Sequence, residues 1–489
     1  MAISRFFTAL LAVSAASALT IRNKPDRAPP SATTKNGTYV GRYEPAYDTD
    51  YFLGMPFAQP PLGDLRFRAP RSLNGTWSGT RNATEYSPQC IGYGMDTWSQ
   101  GNYVSEDCLT LNVVRTADDW DKLPVLVWFH GGGLVMGGSS DRRYNQSFIV
   151  QQATEAGMPI VAVSVNYRLS SWGFLYGKEI QEEGSTMNGF RDTRLALHWI
   201  QENIAAFGGD PSRVTIMGES AGGSIVSALL LAYNGRDDKL FSGAIAQSGP
   251  PARINALPTV EDWEPVIANI SARVGCADAE SVHACLRTVP SKELSDVFNS
   301  TRSAGLGVVI DGDFIVDAPA TQLDKGAFVP VPFLIGSNSD EGISSARINT
   351  TDQFLNNIIS SYRVDNGTAQ DLAILYPDIP AIGLPATVKG RPTASRGLQL
   401  KRVSALATDA GQGAPRRLAV QMWAKHGVPA YSYRFNVIVN GLDASIGVPH
   451  FQEVAFVFVS RDRSPPGSKK NVHQSLTYRL RRCSSTPKA

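Results

Sequence analysis

Six short runs of continuous apolar residues limit what this chain can become. They are LPVLVWFH (123–130), PIVAVSVNY (159–167), VTIMG (214–218), GAIAQSG (243–249), VPFLIGS (331–337) and PAYSYRF (429–435). Each is bounded by turn chemistry and none alternates strictly, so each reads as a strand covered on both faces. Helical periodicity fills the intervals. The clearest case is RDTRLALHWIQENIAAFG (191–208), which sets Leu195, Leu197, Trp199, Ile200, Ile204 and Phe207 on an apolar flank. Asp210-Pro211 then marks a turn into VTIMG. Strands alternating with helices predict an α/β fold on a mostly parallel sheet. Residues 250 to 330 are less regular and read as inserted, cap-like helical material. With 489 residues, 43% hydrophobic and 18% charged, the chain has the material for a large core.

The third run ends in Gly218-Glu219-Ser220-Ala221-Gly222. In a nucleophile elbow a strand turns sharply into a helix and lifts a serine Oγ above the sheet edge. The packing leaves room only for glycine two residues to either side. A strand precedes Ser220, and SIVSALLLA (224–232) is suited to the helix that follows. Directly after the first run comes His130-Gly131-Gly132-Gly133. A glycine loop there lets backbone N–H groups approach a developing oxyanion. The donors expected are the N–H groups of Gly132, Gly133 and Ala221.

A serine nucleophile needs a base that titrates near neutrality, which points to histidine. Six are present: His130, His198, His283, His426, His450 and His473. In this type of fold the chain order is serine, acid, histidine. His130 and His198 precede Ser220. His283 lies between paired cysteines before any convincing acid, His426 ends a helix, and His473 sits in an atypical tail. His450 remains. The acid belongs at the end of a strand between Ser220 and His450, and VPFLIGSNSDEG offers Asp340 and Glu341 side by side. Spacing does not choose between them.

The first residues, MAISRFFTALLAVSAASALT, carry one basic residue, an apolar stretch and Ala16-Ser17-Ala18. That is the layout of a secretory signal peptide, residues 1–18. Eight N-x-S/T sequons (Asn36, Asn74, Asn82, Asn145, Asn269, Asn299, Asn349 and Asn366) agree with export and glycosylation. Four of five cysteines form two local pairs, Cys90 with Cys108 and Cys276 with Cys285, disulfide candidates in an oxidising compartment. A metal site reads weakly, since no C-x-x-C occurs and His283 is the only nearby histidine. Residues 461–489 hold eight Lys and Arg against one acid. Without that tail and Arg5, 37 basic and 43 acidic residues leave a body near −6, which gives no reason to expect nucleic-acid binding. No later segment has the apolar length of a membrane span.

Taken together the motifs resemble the type-B carboxylesterase/lipase family, which includes secreted fungal lipases and the cholinesterases. YFLGMPFAQPPLGDLRFRAP (51–70), SEDCLTLNV (105–113), NYRLSSWGFL (166–175) and ALHWIQENIAAFGGDPSRVTIMGESAGG (196–223) are similar to family motifs in order. The resemblance covers about residues 35–458. It implies an α/β-hydrolase fold, a Cys90–Cys108 disulfide, and a triad of Ser220, Glu341 and His450 with Ser248 supporting the glutamate. It also implies two-step acyl transfer on a small-molecule ester without cofactor or metal. The catalytic domain expected is residues 19–460; nothing indicates stable membrane association, and oligomeric state is not legible.

Two departures matter. The loop CIGYGMDTWSQGNYVSEDC (90–108) is short, where lipases of the family carry a longer lid. Its Gly-rich, polar character favours an esterase acting on soluble substrates, with a triacylglycerol lipase as alternative. A non-catalytic adhesion or binding protein and an inactive truncated product are further alternatives. The basic tail with its odd Cys483 departs from the family pattern, and the expectation is that it stems from a shifted reading frame or mistaken gene model. Transcript sequence beyond Phe458 tests this.

Overall fold

A nine-stranded sheet organises the chain in the computed structural model, which describes residues 27–458 except 119, 255, 302, 304, 344–346 and 441–442. The signal peptide, the basic tail, His473 and Cys483 lie outside the described residues. We number the strands of this sheet in chain order: β1 Arg42–Glu44, β2 Thr49–Pro56, β3 Thr110–Thr116, β4 Leu123–Phe129, β5 Val161–Val165, β6 Gly209–Glu219, β7 Gly243–Gln247, β8 Phe333–Asn338 and β9 Ala430–Phe435. Their spatial order is β9-β8-β7-β6-β4-β5-β3-β2-β1. Strands β4 to β9 are mutually parallel, while β3 meets β5 antiparallel and β2 and β1 continue antiparallel to that edge.

All six apolar runs thus became the parallel strands. Their side chains explain it: Val125, Val127, Trp128 and Phe129 of β4 and Val161, Ala162, Val163 and Val165 of β5 are almost wholly buried, as strands covered on both faces must be. Helix α1, Asn188–Asn203, buries Leu197, Trp199 and Ile200, and a 3-10 turn, Ile204–Phe207, buries the other two residues of the predicted flank. Leu195 is only partly buried. Asp210-Pro211 forms its turn inside the start of β6. Asp210 Oδ1 accepts from Ser212 N and Oγ, and the register with β4 shifts there. Residues 250–330 are helical as expected, with Val260–Arg273, Val282–Thr288 and Ser291–Ser300. Among the described residues no helix is long and apolar enough to cross a membrane.

Topology places the site. The chain passes from β4 to β5 on one side, then crosses back so that β6 lies on the other side of β4. Ligands in such sheets bind outside the carboxyl ends of strands where the order reverses. Gly218 pairs with Phe129, so the residues after β4 and after β6 emerge side by side. Both cysteine pairs are disulfides, Cys90–Cys108 and Cys276–Cys285.

Candidate active site

Between β6 and helix α2 (Ala221–Gly235), Ser220 adopts φ 57°, ψ −119°, a strained conformation for a residue with a side chain. Close packing enforces the turn. A Cβ on Gly222 would sit 2.0 Å from Phe129 O, and one on Gly218 would sit 2.4 Å from Gly222 carbonyl atoms. Neither position admits any other residue. Ser220 N donates to Gln247 O at 2.9 Å, tying the elbow to the neighbouring strand.

The glycine loop after β4 lies against this elbow. A Cβ on Gly131 would meet Glu219 Oε2 at 2.9 Å and Ser220 Cβ at 3.2 Å. Gly132 and Gly133 both take positive φ, and a Cβ on Gly132 would strike Met136 O at 2.2 Å. His130 is buried, stacks on Tyr167 with centroids 4.4 Å apart, and its Nδ1 is 2.8 Å from Gly131 O. Burial lowers its pKa to about 4, so the ring is neutral.

His450 Nε2 lies 2.7 Å from Ser220 Oγ, and Nδ1 lies 2.6 Å from Glu341 Oε2. The other carboxylate oxygen of Glu341 accepts from Ser248 Oγ at 2.5 Å and Asn338 N at 2.6 Å. Asp340 turns the other way. Its Oδ2 accepts from Val448 N at 2.7 Å, and its N donates to Val448 O at 3.0 Å. The two adjacent acids therefore do different jobs: Glu341 meets the imidazole, and Asp340 fastens the loop that carries it. Asn338 adds to that fastening, its Nδ2 donating to Pro449 O at 2.8 Å and to Glu453 Oε2 at 2.6 Å.

Two buried carboxylates near the site were not singled out from sequence. Glu219, the variable residue of the G-x-S-x-G pattern, places Oε1 3.2 Å from His450 Nε2, and neither of its oxygens has a hydrogen-bond partner among the described residues. Burial raises its pKa to about 8 against the opposing pull of His450. Glu453 is likewise raised by burial. The signal for Glu219 was an acid at the end of an otherwise apolar central strand. Burial works against a charged His450, but the Glu341 hydrogen bond and the charges of Glu219, Glu341 and Glu453 outweigh it and lift the pKa to about 9.

Three of the described histidines stand apart. His283 is buried beside Glu183, His198 is exposed, and His426 Nε2 lies 3.1 Å from Asp324 O. Beyond His450, the short helix Val454–Val457 and Phe458 pack on the sheet, Phe458 stacking edge-on against Trp128 at 4.8 Å. Tyr431, Val437 and Ile438, on and after the edge strand β9, are exposed.

A serine on a strained strand–helix turn over the carboxyl edge of a mostly parallel sheet defines an α/β-hydrolase. The chain belongs to the carboxylesterase family, whose model matches residues 28–480, and is a carboxylic ester hydrolase of the type-B carboxylesterase/lipase group. It is 34% identical to Lipase 4 of Diutina rugosa over 88% of this chain and 83% of that protein. It is 33% identical to Lipase 2 of Geotrichum candidum over 88% of this chain and 84% of that one. The crystal structure of Aspergillus niger EstA superposes with a TM-score of 0.77 at 28% identity, covering 93% of this chain and 86% of the other.

Proposed function

We propose that the protein is a secreted, glycosylated serine carboxylesterase that works by two-step acyl transfer. The observation that carries this reading is the unbroken hydrogen-bonded series Ser220–His450–Glu341. Ser220 Oγ attacks the ester carbonyl carbon while His450 Nε2 takes its proton. The tetrahedral oxyanion is held by the N–H groups of Gly132, Gly133 and Ala221. His450 returns the proton to the leaving alcohol, giving an acyl-Ser220 ester. Water then attacks that ester with His450 again as base, releasing the acid and free Ser220. Glu341, held by Ser248, fixes the imidazole tautomer and stabilises the imidazolium. The reaction requires no cofactor or metal. The catalytic domain is residues 19–460, after removal of the signal peptide at Ala18.

A second reading, a lipase, is favoured by one observation. The Cys90–Cys108 loop is polar in composition, yet its short helix Met95–Ser99 and the turn after it expose Met95, Trp98 and Tyr103. An apolar surface on a loop near the site suits a lipid–water interface, and relatives of this chain are named lipases.

A chain-length series of 4-nitrophenyl esters, with Ser220→Ala as control, tests both. Hydrolysis of short soluble esters that disappears in the variant is the result expected. A preference for long chains that jumps above the substrate's solubility limit would replace the esterase with the lipase. Equal hydrolysis by Ser220→Ala would end both readings.

A further inference from the structure

We infer that Arg253 equips this site for esters that carry a second, anionic group such as a carboxylate, an inference that rests on the ester-hydrolase reading above. Ser224 lies one turn into helix α2 from Ser220, and its N and Oγ both donate to Ser220 O, at 2.9 and 3.3 Å. Arg253, on the segment leaving β7, donates from Nη2 to Ser224 Oγ at 2.8 Å. The guanidinium is therefore fixed one helical turn from the nucleophile.

Its charge is otherwise uncommitted. Among the described residues no carboxylate pairs with Arg253, whereas Arg66, Arg168, Arg191 and Arg194 each hold an acid. A guanidinium has five N–H donors in a planar fork, and a single neutral hydroxyl engages only one of them. The remaining face suits bidentate binding of a carboxylate. Arg253 is also exposed, yet desolvation by surrounding protein lowers its pKa.

The surroundings make this charge consequential. Glu341 lies beside His450, and its negative charge opposes an anion approaching Ser220. A cation near the serine favours an anionic ester over a neutral one. Arg253 supplies it on the helix side of Ser220.

Three substrates test this: 4-nitrophenyl butyrate (neutral), mono-4-nitrophenyl glutarate (anion on the acyl part) and 4-acetoxybenzoate (anion on the leaving part). For wild type, Arg253→Lys and Arg253→Gln, the readout is kcat/KM of each anionic ester divided by that of butyrate. Calorimetric binding of glutarate to wild type and Arg253→Gln gives a readout independent of hydrolysis. Loss of a charge-assisted hydrogen bond predicts a fall of about 10- to 100-fold in the ratio for one anionic ester and in glutarate affinity on Arg253→Gln, with Arg253→Lys between. Which anionic ester responds identifies the half of the substrate that meets Arg253. Ratios and glutarate affinity that stay within about twofold would overturn the inference while leaving the esterase reading intact. Glutarate binding that depends on Arg253 without hydrolysis of any ester would support the inference and sink the esterase reading.

Discussion

Glu219→Gln isolates the least expected feature of the site, a buried carboxylate 3.2 Å from the nitrogen of His450 that faces Ser220. The substitution keeps shape and removes charge. In the free protein the base acts only when neutral, and its pKa stands at about 9. The neutral fraction is then about one in ten at pH 8 and one half at pH 9, so kcat/KM should climb about fivefold over that unit, in which Glu219 is ionised. Glu219 is one of the three carboxylates that raise the value; Glu341 and Glu453 remain in the variant. Above pH 8, where Glu219 is ionised, the acidic limb of the variant should therefore lie about one pH unit below that of wild type, still above the ordinary histidine value. At pH 7 Glu219 itself holds a proton, its pKa standing at about 8, so there the variant should match wild type; its gain should appear between pH 8 and 9, where Glu219 is ionised and His450 is still charged. The plateau itself should fall, because above pH 8 ionised Glu219 stabilises the imidazolium formed at the transition state. The assay is the pH profile of kcat/KM for a soluble nitrophenyl ester from pH 6 to 10. A limb that stays in place would show that the field at His450 does not arise as described.

The same substitution should alter stability with a definite sign. Glu219 is raised from 4.5 to about 8 in the fold, so between those values the folded state holds a proton that the unfolded state releases. That difference makes the native protein less stable as pH rises through the window, and Glu219→Gln should melt at a higher temperature than wild type at pH 9. Asn338→Ala removes the donor to Pro449 O and leaves Glu453 without its amide partner; about 1–3 kcal/mol of stability should be lost, with lower kcat and little change in KM. Replacing Cys90 and Cys108 by Ser opens a loop of sequence separation 18, and denaturant melts should show a loss of about 3 kcal/mol. Peptide mapping should find glycans at the exposed Asn74, Asn82, Asn269, Asn299 and Asn366. It should find none at Asn36, Asn145 and Asn349, half-buried residues whose side chains bond to Gly75 O, Ser147 N and Leu398 N.

The elbow was legible because backbone contact leaves no choice of residue: Gly218 and Gly222 are written into the chain by atoms that a Cβ would strike. The parallel strands were legible for a related reason, since burial on both faces demands uninterrupted apolar side chains. The acid was not legible from spacing, because Asp340 and Glu341 are chemically alike and adjacent; the family resemblance alone pointed to Glu341. Only the turn after β8 decides that one points at His450 and the other at Val448. Glu219 escaped notice because a motif position free to vary carries no expectation, although its buried carboxylate is one of the groups that raise the pKa of His450. Met95, Trp98 and Tyr103 sit in a segment whose average is polar, and composition cannot reveal that its few apolar side chains face outward. Arg253 had no spacing signal at all; its place depends on how the segment after β7 returns to helix α2.

In the proposed reaction Ser220, activated by His450, is the group that attacks the ester. Incubation of the folded protein with an organophosphate, followed by intact mass and peptide mapping, tests it most directly. One adduct is expected, on the peptide carrying GESAGG, and its formation should slow at least a hundredfold in His450→Ala. No adduct on the folded protein, or one that maps to a different serine, would contradict it.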